Sequence, residues 1–537
     1  MPFHFLSKES EGPGMVDQLL SRISLLTSLA DERYIEEKRE QQESLASRLS
    51  TPAEDARKRV RVLLCDSSGL RRCRVVPWHR FRSIGTTGLG LTSACMAQPA
   101  YSDCIAPNSG LDPVGEIRLV PASPVVDLPW APGHCMVLAD MCTQPSPLIG
   151  LQQGALSPPT LPSWSGCPRA ALRRALVALK EEYGLSLMCG FETEFVLLRR
   201  EQWVPGRHLE GGLPPLHPVD DAPYAHSRAT GACAAVLDDM VDTLENMGIP
   251  CLQYHAESGP GQFEIVTSHF EALEAADKLL FTREAIVGVA AKHGLEASFV
   301  PKMSSSAAGC GCHCHLSLWK GGVNIMAAAP SLQDPAQPHP SLSEQASCFL
   351  AGVLQGLPTL LLFTAPSFNS FDRLVPGGWS GAFTAWGWDN REVPLRLTCP
   401  PTTNTPDSSP AATPFSSLNA EYKAMDATAN PYIALTAIVA AGMLGSLVKC
   451  TLPPPLQVPP ALLDPSEQAE RGISRLPASL SDAISQLETG RNAWMCDELQ
   501  AMYATLLGPC LMRAYLAVRR AEAAKGPIDM PRMHLLY

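Results

Sequence analysis

The sequence predicts an α+β fold in which a small, mostly β domain precedes a larger one that mixes strands with helices. Three observations carry that prediction. Between Val60 and Asp140, short aliphatic runs recur between prolines and glycines: R-V-R-V-L-L-C-D, then L-R-R-C-R-V-V after Ser67-Ser68-Gly69, then Ile117-Arg118-Leu119-Val120 and Met136-Val137-Leu138-Ala139-Asp140. From Arg169 to Glu182 the period changes, with Leu172, Leu176 and Leu179 on one side of a helix that stops before Gly184. Beyond it, strand-like segments bearing glutamates and histidines alternate with helical stretches such as Glu271 to His293.

In order along the chain, residues 1–56 form a charged extension. Asp17, Leu19, Leu20, Ile23, Leu26 and Leu29 mark a helical stripe there, so it is either a helix packed on a neighbour or a frayed tail. The β domain takes 57–145, a Pro-, Ser- and Gly-rich linker 146–168, and the large domain 169–537. Inserts near 201–231, 321–342 and 400–416 read as irregular surface loops, poor places to seek chemistry. The apolar run Pro431 to Val448, headed by Asn430-Pro431 and without a second run of spanning length, reads as a buried core helix.

Composition excludes some classes. A net charge of −11 over 537 residues, with no long basic stripe, argues against nucleic-acid binding, which rests on clustered Lys and Arg. Eighteen cysteines without a regular framework read as reduced thiols. Met1 to Gly14 holds Lys8, Glu9 and Glu11 and no apolar core, unlike a secretory signal. The expectation is a cytoplasmic protein, with organellar import left open, that binds neither nucleic acid nor membrane.

The chemistry concentrates in F-E-T-E-F at 191–195, H-A-E-S-G-P-G-Q-F-E-I at 255–265 and G-C-G-C-H-C-H-L-S at 309–317. Residues two apart on a strand share a face, so Glu192 lies beside Glu194 and His313 beside His315. Glu257 and Glu264 bracket Gly259-Pro260-Gly261, a turn able to fold both carboxylates toward one point. Ionised carboxylates so close need a cation or a shared proton, and a carboxylate-rich set with few histidines suits magnesium or manganese. The bland alternative is a strand with solvated glutamates. Cys310, Cys312 and Cys314 fall on the face opposite the histidines, which disfavours one zinc site using both. Downstream, Arg373, Arg391 and Arg396 are candidate partners for carboxylate or phosphate, and Glu421 and Lys423 share a strand face. Cations on metals and arginines are what phosphoryl transfer needs.

These motifs, followed by F-D-R-L-V-P-G, W-G-W-D-N-R and A-E-Y-K-A-M-D-A-T-A-N-P-Y, resemble the glutamine synthetase superfamily of the bacterial type from about residue 58 to the end. The likeness is greatest to its fungal and plant glutamine-synthetase-like branch. It implies a β-grasp domain, then a large catalytic domain with an antiparallel sheet and flanking helices, in a homo-oligomer whose active sites lie between subunits. It further implies that Glu194, Glu257 and Glu264 hold one Mg2+ or Mn2+ and that Glu192, His313 and Glu421 hold another. On the same grounds His315, Ser317 and Arg396 serve ATP, Arg373, Lys423 and Gly309 serve a glutamate-like substrate, and Arg373 and Arg391 assist the reaction. The implied activity is an ATP-dependent ligation: a γ-glutamyl phosphate forms, and ammonia or a larger amine converts it to an amide. The alternative is a catalytically altered oligomer with a structural or signalling role.

Several positions depart from the family pattern. Trp379 stands where a flap glutamate is usual, Ala308 replaces an asparagine, and 88–96 lacks the usual small-domain aspartate. Asn419 and Lys423 each stand where an arginine is usual. The lost anions disfavour bound ammonium, while Trp379 offers an apolar or cation–π surface to a larger amine.

Overall fold

Two sheets, one per predicted domain, organise the chain. The structure, a computed structural model, describes residues 12–48, 58–84, 87–144, 161–201, 215–399, 415–490, 494–528 and 530–537. The first sheet runs in the order Arg71–Pro77, Arg59–Cys65, His134–Thr143, Glu116–Pro121, Leu89–Thr92, with Val126–Asp127 added on His134–Thr143. Its first and last strands, Arg59–Cys65 and His134–Thr143, are parallel neighbours at the centre, and its other pairs are antiparallel. That is the β-grasp arrangement the resemblance implies.

The larger sheet has Ser186–Arg200 and Cys312–Lys320 at its middle, followed outward on one side by Asn419–Tyr422, Leu395–Thr398 and Trp386–Trp388 and on the other by Gln262–Thr267 and Cys251–Ala256. Its pairs are antiparallel apart from Trp386–Trp388 with Leu395–Thr398. One face is core: Cys189, Phe191, Cys312, Cys314 and Leu316 are all buried there. All eighteen thiols are free, so no bridge ties the strands.

The predicted core helix spans Pro431–Leu447 and is buried on every side from Pro431 through Gly445. A helix apolar all round must be enclosed, and Glu344–Thr364, Pro168–Tyr183 and Cys496–Leu507 enclose this one. The Asn430 side chain caps it, accepting from the Tyr432 and Ile433 amides, and its amide also donates to the Cys65 and Asp66 carbonyls of the small sheet's first turn. Gly69 in that turn has φ +79°, and an added Cβ would lie 1.9 Å from the Thr428 carbonyl oxygen. The turn is therefore pressed onto the chain between Glu421 and the core helix. Another apolar helix, Glu344–Thr364, is long and apolar enough to cross a membrane, which the shorter Pro431–Leu447 is not; the sequence reading has no such second candidate, and 83% of the apolar window of Glu344–Thr364 is buried inside the protein.

The N-terminal extension is a helix, Gly12–Arg48, and it is docked. Val16, Leu19 and Ile23 are fully covered, but the inward stripe continues through Thr27 and Ala30, while Leu29 faces out. Ion pairs complete the seat: Asp31 reaches Arg173 and Arg174, and the Tyr34 hydroxyl donates to Asp140 beneath the Arg173 guanidinium, 3.4 Å from the ring. Asp140 also takes Arg169 at 3.0 Å and Arg173 at 2.9 Å, and Arg169 continues to Asp277. This buried network joins the extension, the small sheet and the helices Pro168–Tyr183 and Ala272–Lys292.

The inserts carry more order than expected. Within 201–231 stand a strand, Leu216–Pro218, that pairs with Ser186–Arg200, and a helix, Ser227–Ala232. Within 321–342 stands a short strand, Val323–Asn324, and nearly all of 400–416 lies outside the described residues. Removing one partner from a buried ion network leaves charge uncompensated, typically costing about 3–5 kcal/mol, whereas exposed pairs contribute about 1 kcal/mol or less. Asp140→Asn should therefore lower stability to urea far more than Glu181→Ala, which breaks the exposed Arg33–Glu181 pair. Equal effects would contradict the network's role.

Candidate active site

Register brings the predicted residues to one face of the large sheet. His313 pairs opposite Glu192, Glu264 lies opposite both Glu194 and His255 on its two neighbouring strands, and Glu421 lies opposite both His315 and Arg396. Because side chains alternate across a strand, this register places the carboxylates in a row over four strands.

One end of the row is rich in cations. His313 Nδ1 is 3.2 Å from Glu192 Oε2 and 3.2 Å from Glu421 Oε1, and His315 Nε2 is 3.0 Å from Glu192 Oε1. Lys423 Nζ donates to Glu421 Oε1 at 3.1 Å, and Arg396 contacts the other oxygen. Burial alone would push Glu192 and Glu421 up. The histidines outweigh it at Glu192, and Lys423 with the histidines outweighs it at Glu421, so both carboxyls sit below the usual range.

The other end is short of cations. Glu194 is held by the Gly311 amide and the Gln262 amide, both at 2.8 Å, and Gln262 also donates to the Gly309 carbonyl. Gly311 must lack a side chain, since a Cβ there would lie 2.6 Å from His313 Nε2. Burial, then repulsion from Glu192, Glu194, Glu257 and Glu421, pushes the Glu264 carboxyl well above its usual value, and burial also raises Glu194.

Donor atoms within 4.8 Å of one another form three groups: Glu192, His313 and Glu421; Glu194, Glu264 and His313; and His255, Glu257 and Glu264. The first is the predicted second ion site. The residues of the predicted first site are shared between the other two groups, Glu264 standing in both, Glu194 with it in one and Glu257 with it in the other, beside His255. Buried carboxylates with an imidazole and too few protein cations fit a hard divalent ion.

Among the remaining predicted residues, Arg373 is buried and donates to the carbonyls of Lys423 and Met425, and its Nε has no partner among the described residues. Gly309 leaves it room, since a Cβ there would lie 2.2 Å from Arg373 Cγ. Arg396 stands against Glu421 and Arg391 is exposed in the loop before Leu395–Thr398. His315 Nδ1 meets Asn419 at 2.8 Å, and Ser317 accepts from the Trp319 indole. Trp379 is 55% exposed with φ +53°, an unusual backbone for a bulky residue.

Sequence reading passed over His255, Gln262 and Tyr224. His255 and Gln262 lie inside a motif it singled out, each two residues from a glutamate that absorbed its attention. Tyr224, whose ring meets His255 edge-on at 5.5 Å, sits in an insert set aside as loop.

A family model described as glutamine synthetase, catalytic domain, matches residues 165–533. The chain belongs to the glutamine synthetase family. It is 32% identical over 467 residues to the gamma-glutamylpolyamine synthetase GlnA3 of Streptomyces coelicolor, covering 85% of this chain and 88% of that one. It is 32% identical over 373 residues to Protein fluG of Emericella nidulans, covering 67% of this chain and 36% of that protein. Among solved structures, one described as a GmaS/ADP complex superposes with a TM-score of 0.67 at 25% identity, covering 88% of this chain and 94% of that one. Members of the glutamine synthetase family are ligases that use ATP and divalent metal ions, and this chain is a ligase forming carbon–nitrogen bonds.

The charge balance sets a pH dependence. Raised folded-state pKa values at Glu264 and Glu194, and at His255 and His315, all make the fold less stable as pH rises above the unfolded values of about 4.3 and 6.5. The lowered values at Glu192 and Glu421 add stability that is lost only at pH below the ordinary carboxylate range. In EDTA the melting temperature should therefore fall between pH 5.5 and 8, and Mn2+ should raise it more at pH 8. An Mn2+ effect independent of pH would contradict this balance.

Proposed function

We propose that the protein transfers the terminal phosphoryl group of ATP to the side-chain carboxylate of a glutamate-like substrate, and that an amine larger than ammonia then displaces the phosphate to give a γ-glutamyl amide. The observation that carries the reading is the row of five carboxylates with His313 and His255 on one sheet face, bordered by Arg373, Lys423 and Arg396, in a chain of a ligase family.

Glu192, His313 and Glu421 would hold one Mg2+ or Mn2+, and Glu194, Glu257 and Glu264 another. Divalent ions bound there supply positive charge to the phosphates of ATP and to the phosphoryl group in flight. The chain's own residues do the rest. Arg373, anchored by two backbone carbonyls and with its stem lying against Gly309, is the guanidinium we assign to the substrate carboxylate. Lys423 adds a charge on the same side without a guanidinium's fork. Arg396, Arg391, His315 and Ser317 are the residues we assign to the nucleotide and its transferred phosphate. The solved homologue in complex with ADP supports a nucleotide in this fold.

The amine end supports the larger nucleophile. Trp379 is exposed on the loop that follows Arg373, which the Gly377 amide ties to Glu392 at 3.1 Å, and by sequence it stands where the family pattern has the flap glutamate. An aromatic face attracts an alkylammonium group and covers its apolar body. A relative named as a polyamine ligase supports the same direction. The alternative, a catalytically altered oligomer with a structural or signalling role, draws on the same altered amine end. The six implied metal positions, clustered on one face, weigh against it.

With glutamate and Mn2+ or Mg2+, phosphate release from ATP should be stimulated more by alkyl- or polyamines than by ammonium, and Trp379→Glu should shift the preference toward ammonium. No stimulation by any amine would refute the reading.

A further inference from the structure

A neutral imidazole offers a metal one lone pair, its other nitrogen carrying the proton. His313 faces two of the donor groups, with Nδ1 3.2 Å from Glu192 and Glu421 and Nε2 3.6 Å from Glu194. It can therefore ligate on one side only. Committed to Glu192 and Glu421, where two carboxylates meet its Nδ1, it leaves the ion at the other end of the row without an imidazole.

At that end stands His255, directly opposite Glu264 on the edge strand, with Nε2 3.0 Å from Glu257 Oε1 and 3.9 Å from Glu264 Oε1. A second observation points at the same space. Glu264 is 5% exposed, and among the described residues its carboxylate has no ion-pair partner nearer than His255 Nε2 at 3.9 Å. Such a group is costly to bury unless something outside the chain satisfies it. Tyr224, itself half-exposed, meets the His255 ring edge-on at 5.5 Å.

We propose that His255 is an imidazole ligand of the divalent ion held by Glu257 and Glu264, so that each of the two cation sites is built with one imidazole. The inference rests on the two-ion reading above and adds to it a ligand and a metal preference. Imidazole suits manganese and the later transition ions better than magnesium, so both sites, rather than one, discriminate among metals.

The test is Mn2+ titration of the full-length protein with pulsed electron paramagnetic resonance, which detects 14N bound directly to the ion. The wild type should bind two Mn2+ ions, each showing nitrogen coupling. His255→Ala should weaken one of them by about ten-fold or more and remove its nitrogen coupling, leaving the other unchanged, and the Mn2+-over-Mg2+ preference at the weakened site should fall. His255→Gln, which keeps side-chain volume, should behave alike. Two ions in the wild type of which one lacks nitrogen coupling, or coupling on both ions in folded His255 variants, would overturn the inference while leaving the two-ion reading intact. If the wild type binds no Mn2+, both fall. Should the variants fail to fold, the wild-type spectrum alone decides.

Discussion

Repulsion among buried carboxylates is the constraint on which the rest of the structure depends. Glu192, Glu194, Glu257, Glu264 and Glu421 share one sheet face, and the chain compensates them unevenly. Lys423, Arg396, His313 and His315 gather at the Glu192–Glu421 end and hold those carboxyls ionised. The Glu264 end has His255 alone, and there the burden shows as a carboxyl driven toward its neutral form.

Holding that arrangement requires a stiff frame, and the fold supplies it from the side opposite the site. Behind the histidines the same strand buries Cys312 and Cys314, so the alternation that turns one set toward the carboxylates packs the other into the core. Behind Glu421 and Lys423 the chain passes directly into the Asn430 cap of the core helix, and the small sheet's first turn is bonded to that cap. Arg373 bonds to the carbonyls of Lys423 and Met425, so substrate-side and metal-side residues are positioned by a single stretch of backbone. The Asp140 network fastens the extension and the small sheet to the same body.

Much of this was legible in the sequence, for identifiable reasons. Period-two alternation placed His313 and His315 together and away from the cysteines, and the order of motifs implied a β-grasp sheet ahead of an antiparallel one. What escaped depended on register and turn geometry, which no single segment encodes. Glu257 also meets His255, at 3.0 Å, because of how the chain turns at 258–261. Arg396 meets Glu421 because two distant strands pair at that level. Tyr224 reaches His255 from an insert whose composition resembles a loop. The extension stayed ambiguous because its seat past Thr27 is made by Asp31 and Tyr34 through ion pairs and a hydroxyl, which leave no apolar stripe.

If the carboxylate row is held in readiness for cations at the expense of the empty fold, removing one charge from it should stabilise the metal-free protein. The most direct measurement is urea unfolding of wild type and Glu264→Gln in EDTA and in Mn2+. The account predicts a more stable variant in EDTA and a smaller gain from Mn2+ than the wild type shows. A variant less stable than the wild type in EDTA, or one that gains equally from Mn2+, would contradict it.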